Sequence, residues 1–313
     1  MSTIPAVPTS YTTGDQYKSD ANKAWESELN TLDTLPNAFA QLIYIMFVMM
    51  PTKEKSIGGE MEYQDYLMDQ VSDQLIPRLD SIKEDFNSCT GLKPEDVVNS
   101  LKGFTFGKDP GSCPGSDAVS EANSILQLVY LNPNLASNSQ LQANVTSAIS
   151  DLMTTGLMYN GLDNNYVKIV MTSVPMNVTV NGTEETVDVP QIQGEYCANS
   201  ASGQPTDDWQ VMSVDGTGWA LEAMWSGTFE YTHVASGSQQ GKGEGLSSYE
   251  NMIQEKTADM NELSTTFTDF SKTATSVFQF FMGEEKQMLS ILDNCLQDIS
   301  KGEQQAINNE ITS

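Results

Sequence analysis

The side chains able to do chemistry are few and scattered. The chain has a single histidine, His233, in FEYTHVA. Any Ser/His or Cys/His nucleophilic pair would have to use it. It stands in an alternating, strand-like stretch with no motif around it, the setting of a packing or surface residue. The four cysteines, Cys89, Cys113, Cys197 and Cys295, form no CxxC pair and none lies near His233 in sequence, so a zinc site is not expected. The 42 Asp and Glu offer carboxylates in number, yet no spacing singles out an acid–base pair. Asp163-Asn164-Asn165 lacks the spacing and terminal Glu of an EF-hand. G-K-G-E-G (241–245) matches neither a dinucleotide-binding fingerprint nor a P-loop. No catalytic, cofactor-binding or metal-ligating set is therefore expected, and the chain reads as non-enzymatic.

Charge narrows the partners. Fifteen Lys and Arg face 42 Asp and Glu, a formal net charge of -27. Nucleic acid and anionic lipid both require a basic footprint, so nucleic acid is excluded and membrane contact is at most indirect. Residues 1–21 are polar, lack the basic and apolar regions of a Sec-type signal, and read as a disordered leader. Cys89 (NSCTG) and Cys113 (GSCPG) have turn-like surroundings and form a candidate disulfide in an oxidising compartment. Asn144, Asn177 and Asn181 match N-x-[ST] and are read as chance in an Asn- and Thr-rich chain.

The elements that would position these residues follow from periodicity. Residues 22–87 are expected to hold the N-terminal helices: a short helix over 22–35, the apolar run AFAQLIYIMFVMM (38–50), a loop over 51–60, and a helix over 61–86 that Pro77 kinks or splits. The apolar run is too short for a membrane span, which needs about 20 residues. It is apolar on nearly every side, unlike a surface helix with one stripe. Residues 88–234 read as an inserted α/β head: helices over 117–131 and 138–158, with Asp117 and Ser139 near their starts, then a small antiparallel sheet over 160–234. Within it Asn181-Gly182 sits between two alternating runs and predicts a type I′ hairpin. Residues 209–214 and 218–234, with Trp209, Trp219 and Trp225, read as further strands. A Gly- and Ser-rich linker is expected at 235–247.

The C-terminal part carries the strongest pattern. Ile253, Met260, Leu263, Phe267, Phe270, Ala274, Val277, Phe281, Met288, Ile291 and Cys295 alternate at spacings of three and four. Only Lys256 and Glu284 break the seam, and Leu292, Leu296 and Ile299 widen it. This predicts one long helix over 248–301, roughly 75 Å in length, followed by a tail at 302–313. A helix with such a stripe needs a partner, and the chain offers 61–86 and 38–50. The fold expected is α+β, mainly α. N- and C-terminal helices form a coiled-coil stalk around the α/β head. The assembly residues singled out are Leu42, Ile45, Phe47, Met260, Leu263, Phe267, Phe270, Val277, Phe281, Met288 and Ile291.

Three stretches, LPNAFAQLIYIMFVMM (35–50), EYQDYLMDQVSDQL (62–75) and IQEKTADMNELSTTFTDFSKTATSVFQFF (253–281), together with the inserted middle region, resemble the hydrophilic translocators of bacterial type III secretion systems. These are the needle-tip proteins and extracellular filament subunits. The likeness covers some 120 residues and is one of pattern. It implies a secreted or cell-surface protein without a cleaved Sec signal and without a cofactor. The partners implied are further copies or a needle subunit, hydrophobic translocator proteins and a secretion chaperone. Four cysteines depart from what export through a narrow channel favours. Two other readings stand beside it: another coiled-coil secreted effector, adhesin or phage structural protein, and a carboxylate-dependent hydrolase housed in the 160–234 lobe.

Overall fold

The computed structural model describes residues 4–36, 38–89, 115–154, 158–160, 165–198, 205–225, 230–235, 239–242 and 249–312. These are mostly helical, with one small mixed sheet. The chain divides into two compact units, Met1–Tyr11 with Gln70–Phe270, and Thr12–Asp69 with Ser271–Ser313.

The first unit contains the sheet. Its strands are β1 (Ser10–Tyr11), β2 (Met158–Asn160), β3 (Asn165–Val180), β4 (Thr183–Ala198), β5 (Gln210–Val211), β6 (Glu230–Ala235) and β7 (Gln239–Lys242). They lie in the order β5-β4-β3-β2-β6-β7, all antiparallel, with β1 added parallel to β3. The β3–β4 hairpin closes as its sequence dictates. Val180 pairs with Thr183, and Asn181 and Gly182 take φ of 51° and 81°, the left-handed pair of a type I′ turn.

Helices of this unit are α4 (Ile76–Cys89), α5 (Gly115–Leu131), α6 (Pro133–Ala136), α7 (Ser139–Met153) and α8 (Val214–Trp225). The core forms on α5, where Ala118, Val119, Ala122, Ile125, Leu126, Leu128 and Val129 are all fully buried. Such a helix is apolar on most of its circumference, and it packs on α4, α7, α8 and β4. Polar groups fix its position. Buried Asp85 of α4 accepts from the Ala118 N–H at 2.8 Å, capping the start of α5. Asn123 Nδ2 donates to the Ile192 carbonyl at 3.0 Å, and its Oδ1 accepts from the Ile192 N–H at 2.7 Å. One buried amide thus satisfies both backbone groups of a β4 residue.

The sheet also receives α8. Gly194 N–H donates to Thr217 Oγ1 at 2.9 Å, and a Cβ at Gly194 would stand 2.8 Å from that oxygen and 2.9 Å from Met212 Sδ. Here glycine is required by close approach. Residues 218–225, expected as part of a strand over 218–234, are helix here. The decisive local signal is Ser213, whose Oγ accepts from the Gly216 N–H at 3.1 Å as an N-cap, with Asp215 in the first turn. Residues 239–242, expected inside a flexible linker, pair with β6 instead. For α7 the cap is Asn138, accepting from Leu141 N–H at 3.0 Å, rather than Ser139.

The start of the chain is tied to this unit. The chain's one arginine, Arg78, is 3% exposed. Its Nη1 meets Glu121 Oε2 at 2.6 Å, while Nη2 donates to the Pro5 carbonyl. Thr179 N–H donates to Thr9 O at 2.9 Å and Asn181 N–H to Tyr11 O at 3.0 Å. The expected disordered leader over 1–21 is therefore corrected: residues 10–11 form a strand, and helix α1 starts at Gly14.

The second unit holds α1 (Gly14–Leu32), α2 (Ala38–Tyr44), a π-helical turn at Ile45–Met49 and α3 (Met50–Asp69). It also holds α9 (Tyr249–Thr312) from residue 271 onward. The tail expected at 302–313 is thus helical through Thr312. Helix α1 packs along α3; Gly14 lies so close to the Tyr63 ring that a Cβ would stand 2.6 Å from Cε2. Lys53 Nζ sits 5.7 Å from the Trp25 ring centre. Thr275 Oγ1 donates to Met68 Sδ at 3.2 Å, bringing α9 beside α3.

The loop expected over 51–60 is helix, and the helix expected to be kinked or split at Pro77 is not split there. Both outcomes have one cause. A proline cannot donate to the carbonyl four residues back, and its ring collides with it. Here Pro51 follows the π-turn 45–49, and Pro77 follows a second π-turn at Gln70–Leu75. The wider ladder, with Met50 N–H bonded to Ile45 O, makes room for the ring while the helix continues.

Candidate interaction surface

Helix α9 is where the sequence pattern and the fold part company. In its early turns the seam is consumed: Met260 is 5% exposed, Leu263 and Phe267 are fully buried, and Ala274 is buried. Lys256, an exception to the apolar pattern, is buried here too. Its Nζ donates to the Asp151 carbonyl in the last turn of α7 and lies 3.5 Å from Asp259 Oδ2. Carbonyls at a helix C-terminus lack intrahelical donors and carry partial negative charge, so an ammonium fits this core position better than a methyl group.

Beyond residue 274 the pattern persists but cover thins. Val277, Phe281, Glu284, Met288, Leu292, Cys295 and Ile299 are half-buried, as Phe270 already is before it. Phe280 is 61% exposed and Ile291 57%, and Leu289, Leu296 and Ile307 are exposed as well. Phe280 and Phe281 meet edge to face, with centroids 5.5 Å apart.

The apolar run 38–50 is two-sided. Met46 and Met49 are buried, whereas Leu42, Ile43 and Ile45 are exposed and Phe47 is 67% exposed. A helical stretch with apolar residues both inside and outside has more apolar surface than its own unit covers. Tyr44 on this run donates its hydroxyl to Glu28 Oε2 of α1, and that bond raises the phenol pKa above its ordinary value.

Of the eleven assembly residues, Met260, Leu263 and Phe267 are interior residues of the first unit and cannot serve an outside partner without unfolding it. Leu42, Ile45, Phe47 and Ile291 are open to a partner, and Phe270, Val277, Phe281 and Met288 are half-open. Phe280 was missed because it lies off the three-and-four seam, Leu289 because it sits on the stripe that Leu292 and Leu296 widen, and Ile307 because the helix was expected to end at 301. For Phe280 the signal is apolar type on the polar side of an amphipathic helix.

The groups first considered for chemistry are elsewhere. His233 lies on β6, paired in register with Gly241. Cys197 is buried on β4, and burial pushes its thiol pKa up, away from the thiolate that nucleophilic chemistry needs. Lys168 on β3 binds Glu195 Oε2 of β4 at 2.8 Å and lies 3.9 Å from the Trp209 ring centre. The Cys89–Cys113 pairing and Asp163-Asn164 fall outside the described residues. Among the described residues no group of three or more His, Cys, Asp or Glu could hold a metal ion, and no helix is long and apolar enough to cross a membrane. No protein-family model, no curated protein and no solved structure matches this chain.

Proposed function

We propose that this is a non-enzymatic assembly protein, in which the first unit is a closed folded body and the second presents apolar helical faces to other protein chains. One observation carries the reading: a single helix, α9, buries its apolar residues at 260–267 and leaves Phe280, Leu289, Ile291, Leu296 and Ile307 exposed. Isolated apolar side chains on a surface are ordinary, but a run of them along one helix marks an interaction site. The acidic balance directs that surface toward protein rather than nucleic acid or anionic lipid.

Within this class the resemblance of 35–50, 62–75 and 253–281 to type III secretion translocators supplies the narrower reading. The protein would be exported without a cleaved Sec signal and engage a needle subunit, hydrophobic translocators and a secretion chaperone. Its helices would form a coiled-coil stalk. Buried Leu67, Val71, Leu75, Leu79, Ile82 and Phe86 are spaced as one strand of such a stalk requires, and Met260, Leu263, Phe267 and Ala274 as the other. The test is binding of the purified full chain to a purified needle subunit and to the translocators. Binding that Phe47→Ser and Ile291→Ser abolish, with unchanged melting, supports the reading; no binding by the unaltered chain refutes the narrower form.

A further inference from the structure

The exposed part of α9 encodes its own partner. Met282, Glu285, Leu289, Leu292, Leu296 and Ile299 follow spacings of three and four along one side. Leu289 and Leu296 are exposed, and the other four are half-buried. Lys286 and Asp293 flank this stripe, both exposed.

A parallel, in-register pairing of two such helices sets Glu285 against Glu285 inside an apolar layer. Two like charges would then be drawn out of water with no cation to meet them. It also places no Lys opposite an acid: Lys286 faces Phe281, and Asp293 faces Met288.

An antiparallel pairing with its two-fold axis between residues 290 and 291 removes both faults. Leu289 then meets Leu292 of the other copy, and Met282 meets Ile299. Glu285 lies against Leu296, where its methylenes pack and its carboxylate reaches solvent. Lys286 stands opposite Asp293. The axis makes each contact occur twice, as an isologous interface requires.

We propose that this stretch, 282–299, is a homodimerisation site at which a second copy of the chain binds antiparallel in this register. The proposal deepens the assembly reading by naming the partner as the chain itself. It stands or falls separately from needle binding, because it is tested with this protein alone.

The experiment uses two full-length variants, Met282→Cys and Ile299→Cys, each also carrying Cys295→Ser. Each is oxidised alone and as a mixture, with Cys295→Ser alone as the control and melting recorded for all. In the proposed register, residue 282 lies beside residue 299 of the other copy, while the two 282 positions are 17 residues apart, about 25 Å. The mixture should therefore give a mixed disulfide dimer and neither variant alone should cross-link. Cross-linking of either variant with itself would establish parallel pairing and overturn the proposal. So would absence of any cross-link together with a monomeric mass by light scattering. As a second readout, Lys286→Glu should weaken the dimer about tenfold by facing Glu with Asp293, and adding Asp293→Lys should restore it. An unchanged dimer in Lys286→Glu overturns the register.

Discussion

Two stretches of α9 invite comparison. Around 256–267 the helix is enclosed: Leu263 and Phe267 are fully buried, and even Lys256 is held against the end of α7. Around 280–296 residues of the same apolar types, Phe280, Leu289, Ile291 and Leu296, face water. Sequence periodicity puts Ile291 on the same seam as Leu263 and Phe267. The difference teaches that an apolar seam states a demand for a partner without saying whether the partner lies in the same chain. In the first stretch the chain's own unit answers that demand, burying Leu263 and Phe267 and seating Lys256 on the Asp151 carbonyl of α7. In the second no such cover is present among the described residues, and Phe280 and Ile291 stay exposed.

Mutations can break or sharpen this contrast. The largest effect is expected in the enclosed stretch: Phe267→Ala should cost about 3–5 kcal/mol, read as a lowered denaturant midpoint. A loss under about 1 kcal/mol would show that Phe267 is not core. Next comes the helix at the centre of the same unit. Asn123→Ala leaves the Ile192 N–H and carbonyl without their side-chain partner and should cost about 2–3 kcal/mol. Unaltered chemical denaturation would mean that these groups find another partner.

In the open stretch the expectation reverses. Leu289→Ser should change stability by no more than about 0.5 kcal/mol. Sedimentation velocity of the same sample should nevertheless show weaker association, and equal sedimentation with lower melting would place Leu289 in a core instead.

The smallest effect concerns Tyr44. Its hydroxyl donates to the Glu28 carboxylate, so the folded protein holds the phenol proton more tightly than the unfolded chain, above the ordinary 10.0. A group whose folded pKa is raised contributes fully below its unfolded pKa and loses that contribution as pH rises through the folded value. The contact between α1 and the 38–50 run should therefore loosen only above pH 10.0. Ultraviolet titration should show tyrosine ionising late, and Tyr44→Phe should reduce that component. An unreduced component in Tyr44→Phe would reassign the late ionisation.

Much of the fold was legible where the determinant is local. Asn181-Gly182 specified its hairpin because two adjacent positive φ angles admit few other residues. The long C-terminal helix followed from its period. Other elements were hidden by context. Trp219, Ala220 and Leu221 look like strand residues because they are apolar in succession, yet Ser213 and Asp215 start a helix that the core then buries. Pro51 and Pro77 signalled interruptions because propensity does not foresee a π-turn placed to receive each ring. The candidate surface was half legible. Type and spacing identified Ile291 and Phe47 but equally identified Leu263 and Phe267, since only tertiary packing separates the two sets.

Arg78 and β1 have a consequence for how the molecule comes together in time. Residues 4–11 complete a unit whose remaining parts extend to residue 270, and the other unit joins residues 12–69 to residues beyond 270. Neither unit is contiguous in the chain. During synthesis, strand β1 must wait for the hairpin at 165–198, whereas α1 and α3 can pack on each other before the residues beyond 270 that share their unit are made. Closures over such sequence distances carry a large entropic cost before any contact compensates it, which slows folding. The π-turn at 45–49 in the apolar run finds its packing partners in α1 and α3, segments made just before and just after it.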